Sequence, residues 1–421
     1  MVATQLPSHL SATTAASAAP AAPATTAASA APTTPATPAT SAAPATPAQN
    51  SLPPKVLVGM SGGVDSSVAA ALLVEQGFRV VGAYMKNWTL DVDGMQCTWA
   101  EDLAYAKRTA VKLGIDLRVY DFQEAYKREV VDYLVSEYEA GRTPNPDIMC
   151  NQQVKFGLFL ETAIAEGFDY IATGHYARNT IMLNPHEWSS DLAKSWDATN
   201  TKLLCAADTH KDQTYFLYRM NGNALARTLF PLGAYTKDKV RTMAFQRSLP
   251  AAYKPDSQGI CFIGEAPIQD FLRLYVDVVP GKIIDADTNE VVGAHEGAIF
   301  FTLGQRKGLG IGGGTPYYVV GKNMADNEVY VSHNAKAAQL QTSELVLEDC
   351  TWISGMAPDQ GEYCVRTRHT GALLRAHVAP LEHGNARVTF EQEQEQVAPG
   401  QSVVVYENDT CLGGGIVASY C

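Results

Sequence analysis

The chain has 421 residues and a net charge of −12, from 44 acidic and 32 basic side chains. This length calls for two or three domains with ample core, and the acidic balance excludes a global grip on nucleic acid, so an RNA partner must be held by local basic patches. No apolar run approaches a membrane span, and eight cysteines without a CxxC pair exclude the spacing of a zinc knuckle or an iron–sulfur cluster.

Residues 1–52 are almost wholly Ala, Thr, Pro and Ser, and the first fifty contain no Lys, Arg, Asp or Glu. Such a stretch buries too little apolar surface to offset its chain entropy and is expected to be a disordered tail. It lacks the basic start and long apolar run of a secretory signal and the arginines of a mitochondrial presequence, so a cytoplasmic protein with reduced thiols is expected. From Lys55 to about Asp169, strand and helix signals alternate. KVLVGM, RVVGAYM, DLRVYDF and DYIATGH are short apolar or β-branched runs. Between them Asp65–Gln76, Thr98–Leu113, Glu124–Glu139 and Asn151–Glu166 carry helical spacing, as at Val130, Leu134 and Tyr138. The alternation predicts an α/β class, a doubly wound parallel sheet that binds ligands at the C-terminal ends of its strands. Gly59–Ser67, Met85 and Thr173–His175 fall at those ends. Asn184–Thr201 reads as a polar surface excursion, and Thr236–Ser248 as a helix with Lys237, Lys239, Arg241 and Arg247 on its surface. After about Cys261 short strands and Gly-rich turns take over, and six short strands in the last eighty or so residues predict a small closed β-barrel. The expected division is a tail over 1–52, a nucleotide-binding catalytic domain over 53–265, a β-rich central domain over 266–335 and a C-terminal barrel over 336–421.

KVLVGMSGGVDSS, Lys55–Ser67, joins a strand to a helix through two glycines. Gly62 and Gly63 let the backbone take positive φ and approach an anion, while the helix aims unpaired N–H groups and its positive end at the same place. Asp65 is placed to hold a Mg²⁺ that bridges phosphates, and Ser61, Ser66 and Ser67 to donate to phosphate oxygens. No Gly-Lys-Ser/Thr follows, so this is not the P-loop of motor ATPases and GTPases. It resembles the pyrophosphate loop, Ser-Gly-Gly-x-Asp-Ser, of ATP pyrophosphatases, which cleave ATP to AMP and pyrophosphate.

Two cysteines stand out by their settings. In GRTPNPDIMCNQQVKF, Pro144 and Pro146 fix a rigid loop and Cys150 is expected at a helix start, where the dipole favours thiolate; Asp147 lies three residues earlier as a proton carrier. In KPDSQGICFIG a Gly turn leads Cys261 into an apolar strand. A lone cysteine in such a run is as readily a small buried hydrophobe.

GMSGGVDSSVAA, AYMKNW, GRTPNPDIMCNQQVKF, ATGHYAR, KDQTYFL, DSQGICFIG, FTLGQRKGLGIGG, TGALLRAHV and PGQSVVVYENDTCLGGGI occur in that order. Together they resemble the motifs of the tRNA-specific 2-thiouridylase family, over roughly residues 53 to 421. The resemblance implies sulfur transfer to C2 of the wobble uridine, position 34 of tRNA, driven by ATP with Mg²⁺ and supplied by a cysteine desulfurase or relay protein, with neither zinc nor an iron–sulfur cluster. It implies that Gly59, Met60, Ser61, Gly62, Gly63, Val64, Asp65, Ser66, Met85 and Gly174 bind ATP, and that Asn145, Pro146 and Asp147 meet the target base. Cys150 is the implied nucleophile and Cys261 the implied persulfide carrier. His175, Lys211, Asp212, Gln213, Arg368, His369 and Gln401 are the implied tRNA contacts, with His at 369 where Tyr is expected. Other ATP pyrophosphatases, such as amide-forming or lysidine-type synthetases, keep the loop without two partnered cysteines. A non-catalytic tRNA-binding protein would not need Asp65, Asp147, Cys150 and Cys261 together.

Overall fold

The computed structural model describes residues 52–89, 98–181, 197, 199–256, 268–312, 314–334, 336–337 and 340–418. The tail over 1–51, most of the Asn184–Thr201 excursion, and Cys261 with its neighbours lie outside them. Strands β1 (Lys55–Gly59), β2 (Arg79–Lys86), β3 (Leu117–Asp121) and β4 (Tyr170–Ala172) alternate with helices. After a short hairpin of β5 (Arg178–Asn179) and β6 (Leu203–Leu204), β7 (Thr228–Leu229) completes a parallel sheet in the order β3-β2-β1-β4-β7. The predicted parallel α/β sheet is therefore present. Alternate residues of β1 enter opposite layers: Val56, Val58 and Met60 pack with Ala70 and Leu73, whereas Leu57 joins Tyr126, Leu134 and Phe159. Burial on both faces explains the unbroken apolar run KVLVGM, and each such buried side chain contributes roughly 1.5–3 kcal/mol relative to exposure.

Helices α1 (Val64–Glu75) and α2 (Trp99–Leu113) match their sequence spacing. On the other face, α3 (Gln123–Tyr126) runs through a π-helical turn, Lys127–Val131, into α4 (Asp132–Glu139). Likewise α5 (Pro146–Met149) runs through a π-helical stretch, Cys150–Leu158, into α6 (Phe159–Ala165). This last helix begins five residues before the expected Asn151. Asn145 Oδ1 accepts from the N–H groups of Asp147 and Ile148 at 3.1 and 3.3 Å, and Pro146 supplies the first helical φ. The expected helix near Thr236 spans Lys237–Gln246, with the Thr236 hydroxyl as its N-cap.

The central sheet, β8 (Gly281–Asp285), β9 (Val291–His295), β10 (Tyr318–Asn323) and β11 (Glu328–Ser332), has the order β10-β11-β8-β9. The six final strands are β12 (Gln341–Trp352), β13 (Gly361–Arg366), β14 (Leu374–Pro380), β15 (Ala386–Glu395), β16 (Ser402–Glu407) and β17 (Thr410–Val417). They run antiparallel and close on themselves through β12–β17, which leaves no barrel edge between them. β6 also pairs with β17, Leu203 opposite Cys411, so the first domain is stitched to the barrel by strand pairing. Among the described residues no helix is long and apolar enough to cross a membrane.

Lys322 of β10 donates to the Phe301 carbonyl at 2.9 Å, and burial pushes its ammonium down to about 8 from the ordinary 10.5. Between those values the unfolded chain holds a proton that the folded chain has lost, so stability rises with pH. From pH 8 to 9.5, below the tyrosine range, the gain is at most about 2 kcal/mol. Urea midpoints across that interval check it: the rise is absent in Lys322→Met.

Candidate active site

The ends of β1, β2 and β4 open into a cleft of about 460 Å³. One end of it is built by the Ser61–Ser66 turn. Gly62 sits at φ 80°, and a Cβ there would lie 2.2 Å from the Asp102 carbonyl oxygen, so both conformation and space require glycine. Gly174 faces the same turn from β4; its Cβ would lie 2.8 Å from the Ser66 nitrogen. Gly63 is the N-cap of α1 without a side-chain cap, so the positive end of a twelve-residue helix faces the cleft unneutralised by its own cap. The Ser66 hydroxyl donates to the Gly63 carbonyl at 3.2 Å and lies 3.3 Å from Ser61 Oγ, which stiffens the turn. Ser67 does not reach the cleft: fully buried, it donates to the Gly63 carbonyl at 2.8 Å.

Asp65 lines the cleft, but its carboxylate is engaged from behind. Tyr176 Oη donates to Oδ1 at 2.9 Å, and Lys237 Nζ lies 2.8 Å from both oxygens. Lys237 also pairs with Asp256 at 2.8 Å, which Arg241 holds at 2.5 Å and Lys211 at 3.4 Å. Arg247 pairs with Glu75 at 2.7 Å. The basic surface expected of the Lys237–Gln246 helix is thus largely spent on carboxylates. Val240, Met243 and Ala244 bury that helix against α1, which brings its lysine and arginines onto acidic neighbours. No group of three or more His, Cys, Asp or Glu among the described residues could enclose a metal. Asp65 with the Ser61 and Ser66 hydroxyls instead suits a Mg²⁺ held chiefly by phosphate oxygens and water.

The opposite wall is the helix that begins at Pro146. Asp147, Asn151 and Lys155, four residues apart, all line the cleft. Cys150 lies between them, fully buried in the core with Ile148 and Val154. It occupies the second helical turn, not the expected helix start, and the dipole effect on a thiol fades beyond the first turn. Asn145 turns its side-chain oxygen into the helix cap. Met85, Asn87 and Trp88 at the end of β2 form the floor. Asn87 falls within AYMKNW, and Asn151 and Lys155 within GRTPNPDIMCNQQVKF, with no individual role expected of them; the i, i+4, i+8 stripe from Asp147 is the available signal for the last two.

The expected tRNA contacts separate into two groups. His175, Lys211, Gln213 and His369 line the cleft. Burial, with Lys155 nearby, holds His175 well below the usual imidazole range, so it is neutral, with Nδ1 2.8 Å from Thr173 Oγ1. His369 from the barrel packs against Phe216 with centroids 4.3 Å apart and the rings tilted by 35°, and burial lowers its pKa as well. Gln213 Oε1 accepts from the Tyr176 N–H at 2.8 Å. Asp212, Arg368 and Gln401 lie elsewhere. Asp212 is 2% exposed and binds Arg366, Thr214 and the Ala206 N–H, a joint between first domain and barrel. Gln401 donates to the Thr143 carbonyl at 2.5 Å, clamping the barrel onto the loop that leads into Pro144–Pro146. Arg368 pairs with Glu395 on the surface at 2.7 Å.

Residues 54–265 match the tRNA methyl transferase HUP domain family, 269–333 a tRNA methyl transferase PRC-barrel domain, and 342–417 an aminomethyltransferase β-barrel domain. The chain is 43% identical over 368 residues to the tRNA-specific 2-thiouridylase MnmA of Chromobacterium violaceum, covering 86% of this chain and 92% of that protein. It is 44% identical over 371 residues to the protein of the same name from Methylobacillus flagellatus, covering 87% and 99%. Among solved structures, a 4-thiouridine synthetase–RNA complex with bound ATP aligns over 52% of this chain and 50% of its own, at 15% identity and a TM-score of 0.32, too distant to bear on function.

Proposed function

This chain belongs to the tRNA-specific 2-thiouridylase family, and from that premise we propose that its cleft splits ATP at the α-phosphate to activate the C2 oxygen of uridine 34 and then replaces that oxygen with sulfur. It is an ATP-dependent tRNA sulfurtransferase. The observation that supports the mechanism is the facing of two walls across one cleft: the Ser61–Ser66 turn on one side, and Asp147 with the helix of Cys150 on the other.

A carbonyl oxygen of uracil is a poor leaving group. Attack of O2 on the α-phosphorus breaks the P–O bond to pyrophosphate, and the N3 proton passes to Asp147. Pyrophosphate charge develops against the N–H groups at the start of α1, where fixed dipoles stabilise it without reorganisation. Mg²⁺, held by Asp65 together with phosphate oxygens, would supply further charge neutralisation. Met85 and Gly174 border the nucleotide, with Ser61 and Gly63 to Ser66 on its phosphates. Sulfur arrives as a persulfide on Cys261, donated by a cysteine desulfurase directly or through a relay protein. In one order the terminal sulfur attacks C2 and expels AMP, and Cys150 thiolate then attacks the Cys261 sulfur, freeing the thiocarbonyl. In the other, Cys150 first releases hydrosulfide, which attacks C2. Both end with 2-thiouridine, AMP and a Cys150–Cys261 disulfide, which a reductant must reopen. The target base must leave the anticodon stack to enter, which favours a single-stranded loop. Lys211, His175, Gln213 and His369 frame its entrance.

Incubating the protein with unmodified tRNA, ATP, Mg²⁺, cysteine and a desulfurase tests this reading by nucleoside mass spectrometry. The expected product is 2-thiouridine at position 34 with stoichiometric AMP. Pyrophosphate release with no sulfur incorporated would point to an amide-forming synthetase instead, and no ATP turnover to a non-catalytic tRNA binder.

A further inference from the structure

Two asparagines face the cleft with polar atoms that no described residue satisfies. Asn87 is 1% exposed, and neither its Oδ1 nor its Nδ2 has a hydrogen-bond partner among the described residues. Asn151 is 3% exposed; its Nδ2 donates to the Phe216 carbonyl at 3.0 Å, while its Oδ1 is unpartnered among the described residues. A buried polar atom without a partner costs about 1–3 kcal/mol. Two such side chains in one cleft therefore point to a ligand that completes them.

The two amides differ in freedom. A carbonyl oxygen can only accept, so Phe216 fixes Nδ2 of Asn151 towards itself and Oδ1 towards the cleft. Asn151 thus presents a fixed acceptor, whereas the Asn87 carboxamide can turn either way. Asn151 also follows Cys150 directly and lies one helical turn beyond Asp147, on the wall assigned to the target base rather than to the phosphates.

We propose that Asn151 selects uracil on entry: its Oδ1 accepts the N3–H of the target base before activation passes that proton to Asp147, and it opposes cytosine, whose N3 is itself an acceptor. Asn87 binds the 4-position substituent of either pyrimidine by turning its amide. This pairing occupies N3 and position 4 and leaves O2 and C2 open to ATP and sulfur. The inference rests on the 2-thiouridylase reading above.

Equilibrium binding of full-length tRNA transcripts with uridine or cytidine at position 34, read beside AMP release with each, tests it. Wild type is expected to prefer uridine by on the order of 10- to 100-fold, the discrimination of a good base-edge contact. Asn151→Ala is expected to bring that ratio within about threefold. Asn87→Ala is expected to weaken both transcripts alike and leave the ratio in place. A purely structural Asn151 would lower the melting temperature without moving the ratio. If alanine unfolds the protein, Asn151→Ser, which leaves a hydroxyl beside the Phe216 carbonyl, carries the same expectation. An unchanged uridine-to-cytidine ratio in a folded Asn151 variant overturns the proposal. A wild type that binds and thiolates no tRNA overturns the functional reading instead.

Discussion

Serine in place of Cys150 abolishes 2-thiouridine formation, by about 10³-fold or more, while pyrophosphate release on tRNA continues. The expectation follows from the division of labour in the cleft. Activation of O2 uses the Ser61–Ser66 turn and the α1 terminus, none of which touches the sulfur chemistry. Both sulfur-transfer orders, however, need a thiolate at position 150 to break the Cys261 persulfide, and a serine hydroxyl at neutral pH is far too weakly ionised to do so. Cys150 is fully buried in an apolar cluster. A hydroxyl there costs about 1–3 kcal/mol, so Cys150→Ala, which introduces no polar atom, should be measured beside it with a melting curve. Cys261→Ser gives the same loss of product, and loses persulfide loading as well. Normal thiolation in both single variants would remove the persulfide mechanism.

Asp65→Ala is expected to lower AMP and pyrophosphate release by about 10²- to 10³-fold, the usual cost of deleting one electrostatic group at a reacting centre. Cys261 remains able to accept sulfur, which a mass shift on the isolated protein reads out. The structure adds a second consequence. Lys237 bridges Asp65 and Asp256, and is only 11% exposed at its side chain. Removing Asp65 leaves that ammonium with Asp256 alone, so part of the loss is electrostatic rearrangement. Asp65→Asn separates charge from hydrogen bonding: it retains an acceptor for Tyr176 Oη, while Lys237 loses its charged partner in both variants. Equal loss in both variants assigns the effect to charge. Unchanged AMP release in either would remove the role given to Asp65.

Much of this protein was legible along the chain. The loop at Gly62 could be read because its requirement is local: a positive φ and an uncapped helix start are written in consecutive residues. The parallel sheet was legible because apolar runs buried on both faces lose their alternation, as β1 does. The six-strand barrel was legible as a count of short strands. Boundaries were less so. Asn145 and Pro146 are a cap and a first helical residue in plain sequence, but the proline-rich setting reads as a loop until the cap is seen, so the helix of Cys150 begins five residues before its expected start.

The basic helix shows a different failure. Lys237, Arg241 and Arg247 look like solvent-facing charge, because a sequence records the sign of a side chain and not its partner. Asp65, Asp256 and Glu75 are 172, 19 and 172 positions away in the pairs they make with Lys237, Lys237 and Arg247 respectively.

The sequence by itself pointed to cleavage of ATP to AMP and pyrophosphate, since a phosphate loop is a short-range device whose physics is complete within a dozen residues. What the tertiary structure alone decided is which side chains share the cleft. Packing of the sheet brings Asn87, just past β2, and Asn151 from the Cys150 helix into one cleft, and closure of the barrel against β6 carries His369 in from the far end of the chain. Their roles depend on unpaired atoms and on fixed partners such as the Phe216 carbonyl, and those exist only once residues far apart in sequence have excluded water between them.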